Sequence, residues 1–122
     1  MRPSIDQPTL YTDVNLVGTS RLLEMARDHG IRNFVFASSS SVYGERTETP
    51  FRETDPVDHP VSPYAATKTA GELLCHTFHH LFEMDISCLR FFTVYGPRQR
   101  PEMAIHRFIR MIDAEEPIPF FG

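Results

Sequence analysis

The chain has 122 residues, 41% of them hydrophobic and 23% charged, which is ordinary globular usage and excludes both wholesale disorder and two domains of ordinary size. A formal charge of -4 argues against nucleic acid as a partner. No run approaches the roughly 18 apolar residues of a membrane span, and Met1-Arg2-Pro3-Ser4 leads into polar residues rather than the apolar core of a signal peptide. Two cysteines, Cys75 and Cys88, form no disulfide framework and read as reduced thiols, so a cytoplasmic protein is expected.

Residues 1–9 carry Pro3 and Pro8 and read as an opening loop. Residues 12–29 place Val14, Val17, Leu22, Leu23, Met25 and Ala26 at helical spacing. Gly30 is a natural stop for that helix, because glycine takes a left-handed turn without a Cβ penalty. Asn33-Phe34-Val35-Phe36-Ala37-Ser38 predicts a buried strand, with the serines 38–41 at its C-terminal end. Residues 44–63 hold four prolines and many charges. They form a long loop, and such loops in a domain are usually functional. Ser62-Pro63 opens a second helix over residues 64–83, with Ala65, Ala66, Leu73, Leu74, Phe78, Leu81 and Phe82 as its apolar content. Residues 86–92 predict a second buried strand, Gly96-Pro97 breaks the chain, residues 102–114 predict a third helix, and residues 117–122 look extended. This alternation is the rhythm of a parallel α/β sheet with helices on its faces. Two strands are only part of such a sheet, so one partial domain over residues 1–122 is expected, of low stability by itself.

Of the 12 basic residues only Lys68 is a lysine. In Tyr64-Ala-Ala-Thr-Lys68 a phenol and an ammonium stand at i and i+4, on one helix face. A free tyrosine has a pKa near ~10 and is a poor base at neutral pH. A fixed cation favours phenolate; a shift of roughly three units takes about 4 kcal/mol, much of which one lysine in a partly dry site supplies. Phenolate can then take a proton from a substrate hydroxyl. The spacing alone is common in helices whose Tyr and Lys are structural. Here the pair also follows a long loop and a serine cluster just beyond a strand, where ligands of α/β sheets bind.

Three further stretches accompany the pair. Phe34-Val-Phe-Ala-Ser-Ser-Ser-Ser-Val-Tyr-Gly44, Ser62-Pro-Tyr-Ala-Ala-Thr-Lys68 and Leu89-Arg-Phe-Phe-Thr-Val-Tyr-Gly-Pro97 follow in that order, with Asn15-Leu-Val-Gly-Thr19 upstream. Across essentially its whole length the chain resembles the extended short-chain dehydrogenases/reductases, in particular the NAD-dependent nucleotide-sugar epimerases and dehydratases, and among them most the UDP-glucuronate 4-epimerases. The resemblance implies part of a Rossmann-like parallel sheet with flanking helices, NAD as cofactor (with NADP left open), a nucleotide sugar as substrate, and a homodimer formed through helices 12–29 and 64–83. It implies that Tyr64 is the catalytic acid/base, Lys68 its partner and a ligand of the nicotinamide ribose, and Ser39 the hydroxyl that bonds the reacting sugar hydroxyl and adjoins the cofactor. Asn15 matches a position on the cofactor-side helix, Phe92 the place where the strand backbone nears the nicotinamide, Thr93 a substrate contact, and Arg100 an arginine beside the substrate carboxylate, a geometry that suits a guanidinium fork.

Two departures accompany it. Gly96-Pro-Arg-Gln-Arg-Pro-Glu-Met103 carries an extra Arg98 and Gln99, which bears on the choice of sugar. No G-x-x-G-x-x-G occurs, since Gly18, Gly30 and Gly44 stand apart; the chain is expected to match the middle of such an enzyme without its glycine-rich N-terminal half. Ser40-Ser41 after Ser39, where dehydratases carry Asp-Glu, favours epimerisation over 4,6-dehydration. A truncated module that only binds or dimerises is the alternative of another class. His76 and His80 stand at i and i+4 without a third ligand nearby, so no metal is expected. Cys88 reads as a small apolar packing residue, Cys75 as unreactive, and Arg107 and Arg110 as a solvated face.

Overall fold

The computed structural model describes residues 2–119, and the chain divides after Phe92 into two compact units. In the first unit a short helix α1 (Arg2–Asp6) precedes α2 (Pro8–Tyr11), a π-wound segment (Thr12–Val17) and α3 (Gly18–Asp28). Tyr11, Val17 and Gly18 all keep right-handed helical dihedrals, so helical turns continue from Pro8 to Asp28. The opening loop expected over residues 1–9 is instead largely helical. Pro8 occupies the first turn of α2, where a missing N–H is no loss. Both α1 and α2 also pack on the later helix α4 (Pro63–Phe82), a long-range contact that local pattern does not report. The helix expected over 12–29 thus begins as a wider turn. Only Leu23 and Ala26 of its predicted apolar stripe are buried, whereas Val14, Val17, Leu22 and Met25 are exposed. Gly30 does stop it, at φ 67°, with the Ile31 N–H donating to the Ala26 carbonyl at 2.8 Å.

Strands β1 (Asn33–Ala37) and β2 (Asp85–Leu89) pair in parallel, Asn33 opposite Asp85 and Ala37 opposite Leu89. The apolar runs predicted strands buried on both faces; the structure covers one. Phe34, Phe36, Ile86 and Cys88 join the core of Leu23, Ala26, Cys75, Phe78 and Met84 beneath α3 and α4. Alternate residues face the other way, and Val35 is 66% exposed and Leu89 42%. Side chains alternate across a strand, so a continuous apolar run shows two faces fit for burial without showing that both are covered. The second strand also ends earlier than expected, at Leu89 rather than residue 92.

Helix α4 starts as the sequence predicts. Ser62 caps it, its Oγ accepting from the Ala65 N–H at 3.1 Å, and Pro63 stands in the first turn. Glu83 closes it in the left-handed conformation. Gly71 lets α4 approach the sheet, because a Cβ there would collide with the Phe36 ring. Between Gly44 and Ser62 the chain has no helix or strand, as expected for the long loop. Gly44 holds φ 68°, and a Cβ on it would fall 2.5 Å from the His59 carbonyl oxygen.

The second unit carries α5 (Ala104–Asp113), close to the predicted 102–114. The Gln99 side chain braces its approach, donating to the Val94 carbonyl at 2.8 Å and accepting from the His106 N–H at 3.0 Å. Arg107 and Arg110 are exposed. Residues 117–119 form no helix or strand; Phe120, Phe121 and Gly122 of the predicted extended tail lie outside the described residues. Among the described residues no helix is long and apolar enough to cross a membrane.

Candidate active site

The C-terminal end of β1 and the first three turns of α4 meet at one place. After the strand the Ser38 N–H turns back to the Phe36 carbonyl at 3.0 Å, and Ser39, itself extended (φ -155°, ψ 148°), caps a short 3-10 helix over Ser40–Tyr43. The Ser39 Oγ accepts from the Ser41 N–H at 3.2 Å and donates to the Ser41 Oγ at 3.2 Å. From α4, Lys68 Nζ donates to the Ala37 carbonyl at 2.8 Å, two residues before Ser39. The same ammonium lies 5.2 Å from the centre of the Phe36 ring and 5.8 Å from that of Tyr64. Lys68 therefore joins the helix of the phenol to the strand end of the serine. Burial lowers its pKa, because desolvation disfavours the charged form.

Tyr64 is half-buried, its ring edge-on to Tyr11 at 6.1 Å. Its backbone carbonyl accepts from Thr67 Oγ1 at 2.8 Å, and Thr67 Oγ1 in turn accepts from Asn15 Nδ2 at 3.1 Å. Asn15 lies in the π-wound segment, so the wide turn aims a polar side chain at the first turns of α4. π-Turns within helices frequently occur at functional positions.

A second polar group stands one turn along α4. Ser38 Oγ donates to Glu72 Oε1. Arg90 clasps Glu72 with both nitrogens, Nε to Oε1 at 3.0 Å and Nη2 to Oε2 at 2.8 Å. Arg90 Nη1 also reaches the Glu53 carbonyl of the long loop at 3.2 Å, and its guanidinium lies 4.9 Å from the centre of the Tyr43 ring. The Glu72 carboxylate, foremost, raises the Arg90 pKa, so the cation is permanent.

The predicted site residues separate into three groups. Ser39, Tyr64 and Lys68 share the strand end and helix start. Asn15 is tied to that helix start through Thr67. Phe92 lies beyond β2, 57% exposed, in an aromatic group with Phe51 and Tyr43 at 5.5 and 6.5 Å. Thr93 and Arg100 belong to the second unit, where Thr93 is exposed and Arg100 pairs with Glu102 at 3.3 Å. Sequence reasoning missed Tyr11, Glu72 and Arg90. Glu72 had a signal, since Tyr64, Lys68 and Glu72 form one i, i+4, i+8 stripe.

Ligands of open α/β sheets bind outside the carboxyl ends of the strands, where a ribose hydroxyl can accept from an ammonium N–H. A lysine carries three N–H donors and the Ala37 carbonyl takes one, so Lys68 has two left for such a group beside the hydroxyls of Tyr64 and Ser39. The residues present fit the cofactor on that count.

The family model described as NAD dependent epimerase/dehydratase family matches residues 1–122. A UDP-glucuronate 4-epimerase of Thermodesulfobacterium geofontis is 51% identical over the whole chain, which covers 38% of that relative. Among solved structures, the UDP-glucuronic acid 4-epimerase of Bacillus cereus in complex with UDP-glucuronic acid and NAD is 43% identical with a TM-score of 0.73, over 91% of this chain and 35% of its own. The dTDP-glucose 4,6-dehydratase DesIV of Streptomyces venezuelae, with NAD and TYD bound, is 32% identical with a TM-score of 0.83, over 99% of this chain and 37% of its own. The chain thus spans somewhat more than a third of the length of these relatives.

Proposed function

The chain belongs to the NAD-dependent epimerase/dehydratase family, and from that premise we propose that it carries the catalytic residues of a UDP-glucuronate 4-epimerase. Residues 1–122 are taken as part of one NAD-binding domain, with a nucleotide sugar as substrate. The observation that carries this reading is the bridge made by Lys68, from the carbonyl two residues before Ser39 to the ring of Tyr64.

When bound, NAD supplies the hydride acceptor for the sugar's C4 and returns the hydride. The rest is protein chemistry. Tyr64, as phenolate, takes the C4 hydroxyl proton and later returns it to the same oxygen, once the 4-keto sugar has turned its other face to the hydride. Lys68 favours that phenolate electrostatically and holds a ribose hydroxyl with a free N–H. Ser39 Oγ hydrogen-bonds the reacting oxygen and orients it. Thr93 and Arg100 are assigned to the substrate, Arg100 to the hexuronate carboxylate, and Asn15 and Phe92 to the cofactor side. Ser40 and Ser41 follow Ser39 where a dehydratase needs carboxyl groups, which favours epimerisation. A second copy of the chain is the proposed partner: an apolar groove lined by Leu16, Val17, Ala70, Leu73 and Leu74 spans the two helices assigned to the dimer.

The test is turnover by the whole gene product with NAD present, products separated and identified by NMR. Conversion of UDP-glucuronate to UDP-galacturonate is the expected result. Release of a 4-keto-6-deoxy sugar would replace the epimerase with a dehydratase, and no conversion of any UDP-hexuronate or UDP-hexose would overturn the reading.

A further inference from the structure

The Ser39 side chain contacts only Ser41, two residues on; its place relative to α4 is fixed through its two neighbours. On one side, Ser38 is 5% exposed and its hydroxyl donates to Glu72. On the other, the Ser40 N–H donates to the Phe91 carbonyl at 2.8 Å, and Phe91 follows Arg90 directly in the chain. Glu72 and Arg90 are themselves joined by the two-pronged ion pair, with the side chains only 11% and 18% exposed. Five residues thus close a ring around Ser39: Ser38 to Glu72, Glu72 to Arg90, Arg90 along the backbone to Phe91, and Phe91 to Ser40. Glu72 also belongs to the helix of Tyr64 and Lys68, so the ring fixes the serine relative to the phenol.

We infer that Glu72 is a positioning residue: through Ser38 and Arg90 it sets Ser39 against Tyr64. The inference rests on the proposed epimerase reading. The physical argument is one of geometry. A half-buried ion pair with both forks satisfied has few alternative arrangements. A serine hydroxyl held only by a short 3-10 turn would otherwise sample several rotamers, and misplacement of about 1 Å costs on the order of 100-fold in rate. Arg90 extends the same ring to the long loop through the Glu53 carbonyl, so the loop bordering the site is registered by the same charge pair.

Ser38→Ala in the whole protein is the cleanest probe, because it removes one hydroxyl and leaves the Glu72–Arg90 pair intact. It is measured with and without Ser39→Ala. The expected result is a fall in kcat of about 10-fold with KM within about twofold, and no further fall in kcat when Ser39 is already alanine, because Ser38 then has nothing left to position. Ser38→Thr, which keeps the hydroxyl, restores the rate. An equal loss in both backgrounds, an unchanged kcat, or a loss confined to thermal stability overturns the inference while leaving the epimerase reading in place. A wild-type protein that converts no nucleotide sugar overturns both.

Discussion

The N-terminal half of α4 adds polar contacts where it packs beside the strands, whereas its C-terminal half packs through apolar side chains. Tyr64, Thr67, Lys68 and Glu72 each have a named hydrogen-bond, ring or ion-pair partner in α2, the π-wound segment, β1 or the residues after the strands. One turn further on, Cys75 is 1% exposed and Phe78 9%, and Phe78 stacks at a tilt on Phe82 with ring centres 5.1 Å apart. Polar contacts here are few: His79 Nδ1 meets the Met84 carbonyl at 2.7 Å, and the neighbouring Cys88 thiol, together with burial, pushes the Cys75 thiol up, so it stays protonated. One helix therefore presents directional groups at the carboxyl end of the sheet and bulk at the other end. The difference teaches why the site can be specific on so small a core. The hydrophobic half fixes where α4 lies, and the polar half, carried rigidly with it, needs little further organisation.

The comparison breaks if the two halves respond alike to truncation. Tyr64→Phe is expected to lower kcat by about 100- to 10,000-fold, the range for loss of a positioned acid/base, while the midpoint of denaturant unfolding stays where it was. Phe78→Ala should do the converse. A buried aromatic removed from a core costs about 3 kcal/mol or more, read as a lower unfolding midpoint, with kcat per folded molecule unchanged. If Tyr64→Phe destabilises as much as Phe78→Ala, or if Phe78→Ala lowers the rate of the folded protein, the division of labour along α4 is wrong.

Much of this was legible in the sequence, and the reasons are local. Gly30 and Ser62-Pro63 marked the end and start of helices because left-handed turns and first-turn positions select those residues directly. Lys68 stood out because it is the one lysine. What the sequence did not carry is what depends on distant partners. The two short N-terminal helices take their stability from α4 rather than from their own composition, so Pro3 and Pro8 read as loop. Phe34-Val-Phe-Ala predicted burial on both faces, but whether a face is covered is decided by elements elsewhere, and Val35 is left bare. The Asn15 amide meets Thr67, 52 residues away in the chain, and no local pattern pairs the two. Glu72 and Arg90 are 18 residues apart, and nothing in periodicity pairs them.

Lys68 sharpens the comparison from inside the polar half, because it alone there spends stability as it gains function. Burial lowers its pKa below the roughly 10.4 of an exposed lysine. Below that lowered value the ammonium is charged in both folded and unfolded chains, and the full desolvation penalty opposes folding. Between the lowered value and about pH 10.4 the unfolded chain binds more protons than the folded one, so stability rises with pH across that window. Lys68→Met removes the titrating group. The difference in unfolding free energy, wild type minus Lys68→Met, is therefore expected to climb as pH rises from neutral toward 10, and to be flat in the acidic range where both lysine forms keep their proton. Denaturant titrations at several pH values read that slope without reference to activity. A difference that stays level, or falls, across the alkaline window would mean that the Ala37 carbonyl compensates the buried charge fully, and the polar half of α4 would then carry its function at no cost in stability.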